Sequence, residues 1–165
     1  MKILFVCSSN VCRSPYAEFV MRKLIAESDD LKDLGIEVSS SAVFNQSKEI
    51  HKKAVASLVA EGFDEKEVRA HRPTFKRSDK KRFEDADLII GMSKVHYILT
   101  PKKYRAKFHT LSEISTGYYF NIPDPFLSTS QERYNEVMAM IREYLVLFLG
   151  ELEHDAKLNK IKASK

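Results

Sequence analysis

Short apolar runs alternate along the chain with longer stretches in which apolar residues recur every three or four positions. Residues 2–6 contain Ile3-Leu4-Phe5-Val6, a continuous apolar run of strand length. Over residues 15–28, Phe19, Val20, Leu24 and Ile25 form the apolar stripe of a helix. Gly35 breaks the pattern, and in residues 36–41 Ile36 and Val38 alternate with polar neighbours as in a half-buried strand. The spacing predicts a helix over 47–61, begun at Ser47 and stopped by Gly62. A shorter one is predicted over 78–84, with Ser78 or Asp79 near its cap. Residues 87–92, Asp-Leu-Ile-Ile-Gly-Met, have the unbroken apolar character of a central parallel strand. A helical turn over 94–100, a strand over 107–111 and a long closing helix over 131–153 complete the pattern.

Strands alternating with helices predict an α/β fold, a single-domain twisted parallel sheet of about four strands with helices on both faces. The domain is expected to span residues 1–153, with 154–165 a polar, lysine-rich tail that frays. A length of 165 residues suits one substantial core.

The first strand delivers Cys7 into the loop Cys7-Ser8-Ser9-Asn10-Val11-Cys12-Arg13-Ser14-Pro15, which places a phosphate-binding loop directly after that strand. Proline is favoured at the first helical position and serine at the cap before it, so a helix is expected to start here. A strand running through a short loop into a helix N-terminus turns backbone N–H groups and the positive dipole end inward, where a thiolate and a phosphate dianion are both stabilised. The five-residue interval between Cys7 and Arg13 sets a nucleophile and a bidentate cation around one anion-sized cradle. Ser14 can donate a hydroxyl to the sulfur, and Asn10 tolerates the left-handed conformation that turns loop amides inward. An isolated cysteine at a strand end is usually a small buried apolar residue. Arg13, Ser14 and Pro15 at these offsets displace that reading in favour of nucleophilic attack on a bound phosphoryl group.

The loop resembles that of the low-molecular-weight protein tyrosine phosphatases, which also carry it after the first strand. The likeness continues in His71-Arg72, in the segment from Phe83 to Met92 and in Pro123-Asp124-Pro125-Phe126. On its own Pro-Asp-Pro reads as a turn. The resemblance makes Asp124 the general acid that protonates the leaving group and then, as a base, activates water. It also implies that Ser8, Ser9, Asn10, Val11, Cys12, Ser14 and Phe126 surround the phosphoryl group, that His71 hydrogen-bonds Asn10, and that Cys7 and Cys12 form a protective reversible disulfide; read from the residues alone, Cys12 is equally a buried thiol packed under the helix. Where relatives have glycine after Ser-Ala, this chain has Val43-Phe44, so either Phe44 supplies an aromatic wall to the cleft or the wall differs.

Related activities separate on single residues. Thioredoxin-coupled arsenate reductases need further cysteines, and Cys7 and Cys12 are the only two here. Protein-arginine phosphatases look distinct in carrying threonine where this chain has Val11, whose apolar branch suits a flat phenyl phosphate. A non-catalytic phosphotyrosine-binding module would lack Cys7, Arg13 or Asp124, and all three are present.

A net charge of +4 and pI near 9 come with lysine and arginine density at 76–82, 102–107 and 157–165. No aromatic-studded basic motif accompanies these clusters, so solvated faces are expected and nucleic-acid binding is not. No run approaches the ~18 consecutive apolar residues of a membrane span. Met1-Lys2 leads straight into a strand without a leader of signal-peptide type, so a cytoplasmic location with reduced cysteines is expected. His51, His96, His109 and His154 share no ligand-like spacing, so neither metal nor cofactor is expected. Phosphotyrosine-containing proteins are the expected partners, met by a monomer or weak homodimer.

Overall fold

Successive side chains of a strand point to opposite faces of its sheet, so an unbroken apolar strand must be covered on both. In β1 (Lys2–Cys7), Ile3, Phe5 and Cys7 enter one core cluster while Leu4 and Val6 enter the other. The first core lies under α1 (Arg13–Glu27), α2 (Lys52–Ala60) and α7 (Gln131–Ala163), which contribute Tyr16, Met21, Leu58, Tyr134 and Ile141. The second is closed by Phe83 of α4 (Lys80–Asp85) and by Tyr104 from a 3-10 turn over Lys102–Lys107. The structure, a computed structural model, describes residues 1–163, with side chains to Asn159.

The four strands are parallel in the order β2 (Glu37–Ala42), β1, β3 (Leu88–Gly91), β4 (Phe108–Thr110). The chain builds outward from β1 on one side to β2 and then crosses to β3 on the other. The carboxyl end of β1 is thus the switch point at which α/β sheets leave a ligand crevice. Cys7 is the last residue of β1, paired with Ala42.

Helix boundaries depart from expectation where loop chemistry intervenes. The first helix begins at Arg13 with Cys12 as its cap, not at Pro15 behind Ser14, because the Ser14 hydroxyl is engaged inside the loop. The second begins at Lys52, capped by His51, whose Nδ1 accepts from the Lys53 amide at 3.3 Å. Residues 47–50 therefore stay in a loop. Two short helices go unseen in the pattern, α3 (Glu65–Ala70) and α6 (Leu111–Thr116), each too brief to show a periodic stripe. Between them α5 (Lys94–Leu99) falls where a helical turn is predicted. The last helix runs ten residues past the expected 153 to Ala163, with Ala156 buried and Lys157 3.1 Å from Asp30. Residues 164–165 of the expected tail lie outside the described residues.

At the end of β3, Gly91 allows a close approach. A β-carbon there would lie 2.3 Å from the Phe108 ring and 3.1 Å from Cβ of His96. Strands β3 and β4 and helix α5 close together because this position carries no side chain.

Candidate active site

Asn10 is the one non-glycine residue at positive φ among the described residues, at 57°, and its fully buried carboxamide braces the loop. Its Nδ2 donates to Ser14 Oγ at 3.0 Å and Ser40 Oγ at 2.7 Å, while its Oδ1 accepts from the Thr74 amide at 2.9 Å. The Ser40 hydroxyl donates in turn to Glu18, which pairs with Arg22. Ser14, with a lone pair taken by Asn10, donates to Cys7 Sγ at 3.0 Å. The sulfur is thus the acceptor at the end of a directed chain of hydrogen bonds.

Arg13 leaves the first turn of α1 with its side chain only 5% exposed. Nη1 donates to the Ile122 carbonyl at 3.0 Å and Nη2 to Asp124 Oδ2 at 2.6 Å. Its Nε is buried with no hydrogen-bond partner among the described residues. Asp124 also accepts from the Phe126 amide at 3.1 Å through Oδ1, an Asx turn that sets the carboxylate toward the loop. Phe126 in turn lies 5.4 Å from the His51 ring, which stacks on Tyr134 at 5.8 Å. Burial and the neighbouring Lys53 and Lys52 hold His51 below its ordinary pKa.

These groups meet in a cleft of about 360 Å³ lined by Cys7, Ser8, Ser9, Val11, Cys12, Arg13, Asp124 and Phe126. Asn10 and Ser14 lie beneath it as braces rather than on its wall. Phe44 is exposed and does not line the cleft; its amide is spent on the Ser8 carbonyl at 3.0 Å. Its neighbour Asn45 takes that place, accepting from Ser9 Oγ at 2.6 Å, with Ser47 and Leu127 beside it. No sequence signal marks Asn45 or Leu127, and Ser47 is marked there only as a helix cap, not as a residue of the cleft.

His71 caps α3 with its ring buried near Asn10. Burial lowers its pKa, opposed by Glu18 and by the Asn10 backbone, and its Nε2 has no partner among the described residues. His71 thus meets Asn10 at its backbone, as the resemblance implies, while the Asn10 side chain is held by Ser14, Ser40 and Thr74. Burial pushes the Cys12 thiol up to about 12 against the opposing Tyr134 hydroxyl, so Cys12 rests as a thiol. His96, which spacing alone did not single out, is buried under the loop with Nε2 3.3 Å from Ser8 Oγ. No group of three or more His, Cys, Asp and Glu side chains among the described residues is placed to hold a metal ion.

The sequence profile described as low molecular weight phosphotyrosine protein phosphatase matches residues 2–158. The chain belongs to that family. Among curated relatives of this phosphatase, the protein-arginine-phosphatase of Bacillus subtilis is 31% identical over 95% of this chain and 100% of its own. The low molecular weight protein-tyrosine-phosphatase PtpB of Staphylococcus epidermidis is 34% identical over 76% of this chain and 81% of its own. Among solved structures, the YwlE arginine phosphatase with a phosphorylated active-site serine superposes with a TM-score of 0.81 at 29% identity, covering 96% of this chain and 99% of that one. A low molecular weight protein tyrosine phosphatase from Bacillus subtilis gives 0.78 at 29% identity, over 94% and 99%.

Proposed function

We propose that the enzyme hydrolyses phosphotyrosine, and small aryl phosphates, through a cysteinyl-phosphate intermediate. The observation that carries this reading is the convergence on one cleft of a hydrogen-bonded Cys7 sulfur, the buried Arg13 guanidinium and the Asp124 carboxylate. Cys7 attacks phosphorus in line with the leaving oxygen. Arg13 and the loop amides hold the equatorial oxygens as charge spreads in the transition state. Asp124 gives its proton to the departing phenolate and then takes one from the water that hydrolyses the phosphocysteine. Nothing in this sequence of steps calls for a metal or a cofactor.

A second reading, hydrolysis of phosphoarginine, is favoured by the likeness to arginine phosphatases over nearly the whole chain. Val11 on the cleft wall favours the aryl substrate, since an apolar branched side chain packs on a flat ring but offers a guanidinium no hydrogen bond. Phosphotyrosine-containing proteins are then the natural partners. Two free cysteines, one of them the nucleophile, suit a reducing cytoplasm. Turnover of matched phosphotyrosine, phosphoserine and phosphoarginine peptides by one preparation tests the reading. A preference for phosphotyrosine is expected, and a preference for phosphoarginine would replace it with the second.

A further inference from the structure

One hydroxyl of the phosphate loop is oriented from outside the loop. Ser8 Oγ lies 3.3 Å from Nε2 of His96, a residue of α5 that is 1% exposed. On the other side of the ring, Nδ1 lies 3.1 Å from the backbone nitrogen of Met92 and 3.3 Å from Ser93 Oγ. A backbone N–H can only donate, so Nδ1 carries the lone pair, and the single proton of a neutral imidazole sits on Nε2. Burial, with the charge of Arg13 adding to it, brings the pKa of His96 down to about 3, so the ring is neutral near pH 7. Nε2–H therefore donates to Ser8 Oγ. With one lone pair occupied from below, the Ser8 proton is turned away from the ring and toward the cleft that Ser8 lines.

We infer that His96 is a positioning residue which, through Ser8, aims a hydroxyl donor at the bound phosphoryl group. The inference rests on the phosphatase reading of the cleft. The Met92 amide fixes the His96 tautomer, the tautomer fixes the Ser8 rotor, and the rotor supplies a donor that costs no reorientation when a dianion arrives. The seat of the ring is set by β3, whose Gly91 leaves room for Cβ of His96. A loop serine without this partner would spread its proton over competing acceptors.

The test uses the geometry of two amides. Asparagine places a carbonyl near the position of Nδ1 but does not extend to Nε2, whereas glutamine places an N–H near Nε2. Binding of inorganic phosphate is measured by titration calorimetry, beside kcat and KM for an aryl phosphate. Ser8→Ala and His96→Asn are each expected to weaken phosphate by about tenfold, the range of a hydrogen bond to a charged group. His96→Gln should recover most of that loss, and the Ser8→Ala/His96→Asn double variant should bind no more weakly than Ser8→Ala alone. Losses that multiply in the double variant, or a glutamine variant as weak as the asparagine one, would overturn the inference. So would phosphate bound as tightly by Ser8→Ala as by wild type, a result that stands even if the His96 variants fail to fold. A wild type that binds phosphate yet hydrolyses no phosphorylated peptide would sink the phosphatase reading, while the binding comparisons still decide the role of His96.

Discussion

Arg13 Nη2 and Asp124 Oδ2 are 2.6 Å apart, so the residue read as the phosphate clamp and the residue read as the acid are direct partners. The pair is asymmetric, the guanidinium being 5% exposed and the carboxylate 49%. A phosphoryl dianion competes with Asp124 for the same guanidinium, and two anions cannot share it without repulsion. We predict that Asp124→Asn binds inorganic phosphate more tightly than wild type. The same variant should lose about 10²–10⁴-fold in kcat, as expected on removal of a general acid. The loss should shrink for acidic leaving groups such as p-nitrophenol; equal losses across phenols of widely different pKa would make Asp124 structural.

Cys7→Ser should abolish turnover, since the Cys7 sulfur, which accepts from Ser14, is in the proposed mechanism the atom that attacks phosphorus. Arg13→Lys should be severely impaired because an ammonium cannot reproduce the planar fork that reaches Ile122 and Asp124 and that, in the proposed mechanism, holds phosphate. Chelators should leave the wild type at full rate. Residual turnover in Cys7→Ser, or loss of activity with chelator, would refute the mechanism.

Mild peroxide should inactivate reversibly by joining Cys7 to Cys12. Capture of a sulfenic acid requires the Cys12 thiolate, and with a pKa near 12 that form is scarce at neutral pH. The yield of disulfide relative to irreversible oxidation should therefore rise between pH 6 and 9, about tenfold in capture rate per pH unit while the thiol form dominates. Peptide mass mapping reads the linked pair. Recovery of Cys12→Ser with dithiothreitol as complete as that of wild type would return Cys12 to a packing role.

Stability should decline on acidification. His96 titrates near 3 in the folded chain and near 6.5 when exposed, so between these values the unfolded state holds a proton that the folded state does not. The contribution of His96 is complete above pH 6.5 and is lost progressively as pH falls toward 3; His71, also lowered by burial, acts in the same direction. Urea midpoints at pH 7, 5 and 4 should fall more steeply in wild type than in His96→Gln, and equal slopes would exclude His96 as a source.

Gly91→Ala should destabilise the protein by about 1–3 kcal/mol, the usual cost of overpacking, because the added carbon would meet the Phe108 ring. Thermal melts measure it directly. A neutral substitution would mean that the ends of β3 and β4 can part without cost.

Much of the sheet was legible because parallel strands buried on both faces leave continuous apolar runs, as in Ile3-Leu4-Phe5-Val6 and Leu88-Ile89-Ile90. The loop from Cys7 to Pro15 was legible because its chemistry is packed into consecutive residues. Contacts that depend on chain crossing were not. Asn45 reaches Ser9 because β2 runs beside β1, and His96 reaches Ser8 across 88 positions, separations that no local pattern encodes. Short helices such as Glu65–Ala70 escaped because six residues are less than two turns, too few for a stripe. The start of α2 was misplaced because Ser47 is a good cap in isolation, whereas the His51 amide is tied to the Val11 carbonyl at 3.0 Å and fixes the helix there.

The cleft mouth carries two apolar side chains open to solvent: Phe126 and Leu127 line it while 51% and 87% exposed to water. An aryl phosphate that covers these side chains removes apolar surface from solvent, whereas inorganic phosphate reaches the same sulfur and guanidinium without doing so. The two ligands should therefore differ in the heat capacity of binding, clearly negative for phenyl phosphate and near zero for phosphate. Calorimetry over a range of temperatures thus reads, without any turnover, whether the rim was shaped for a flat ring.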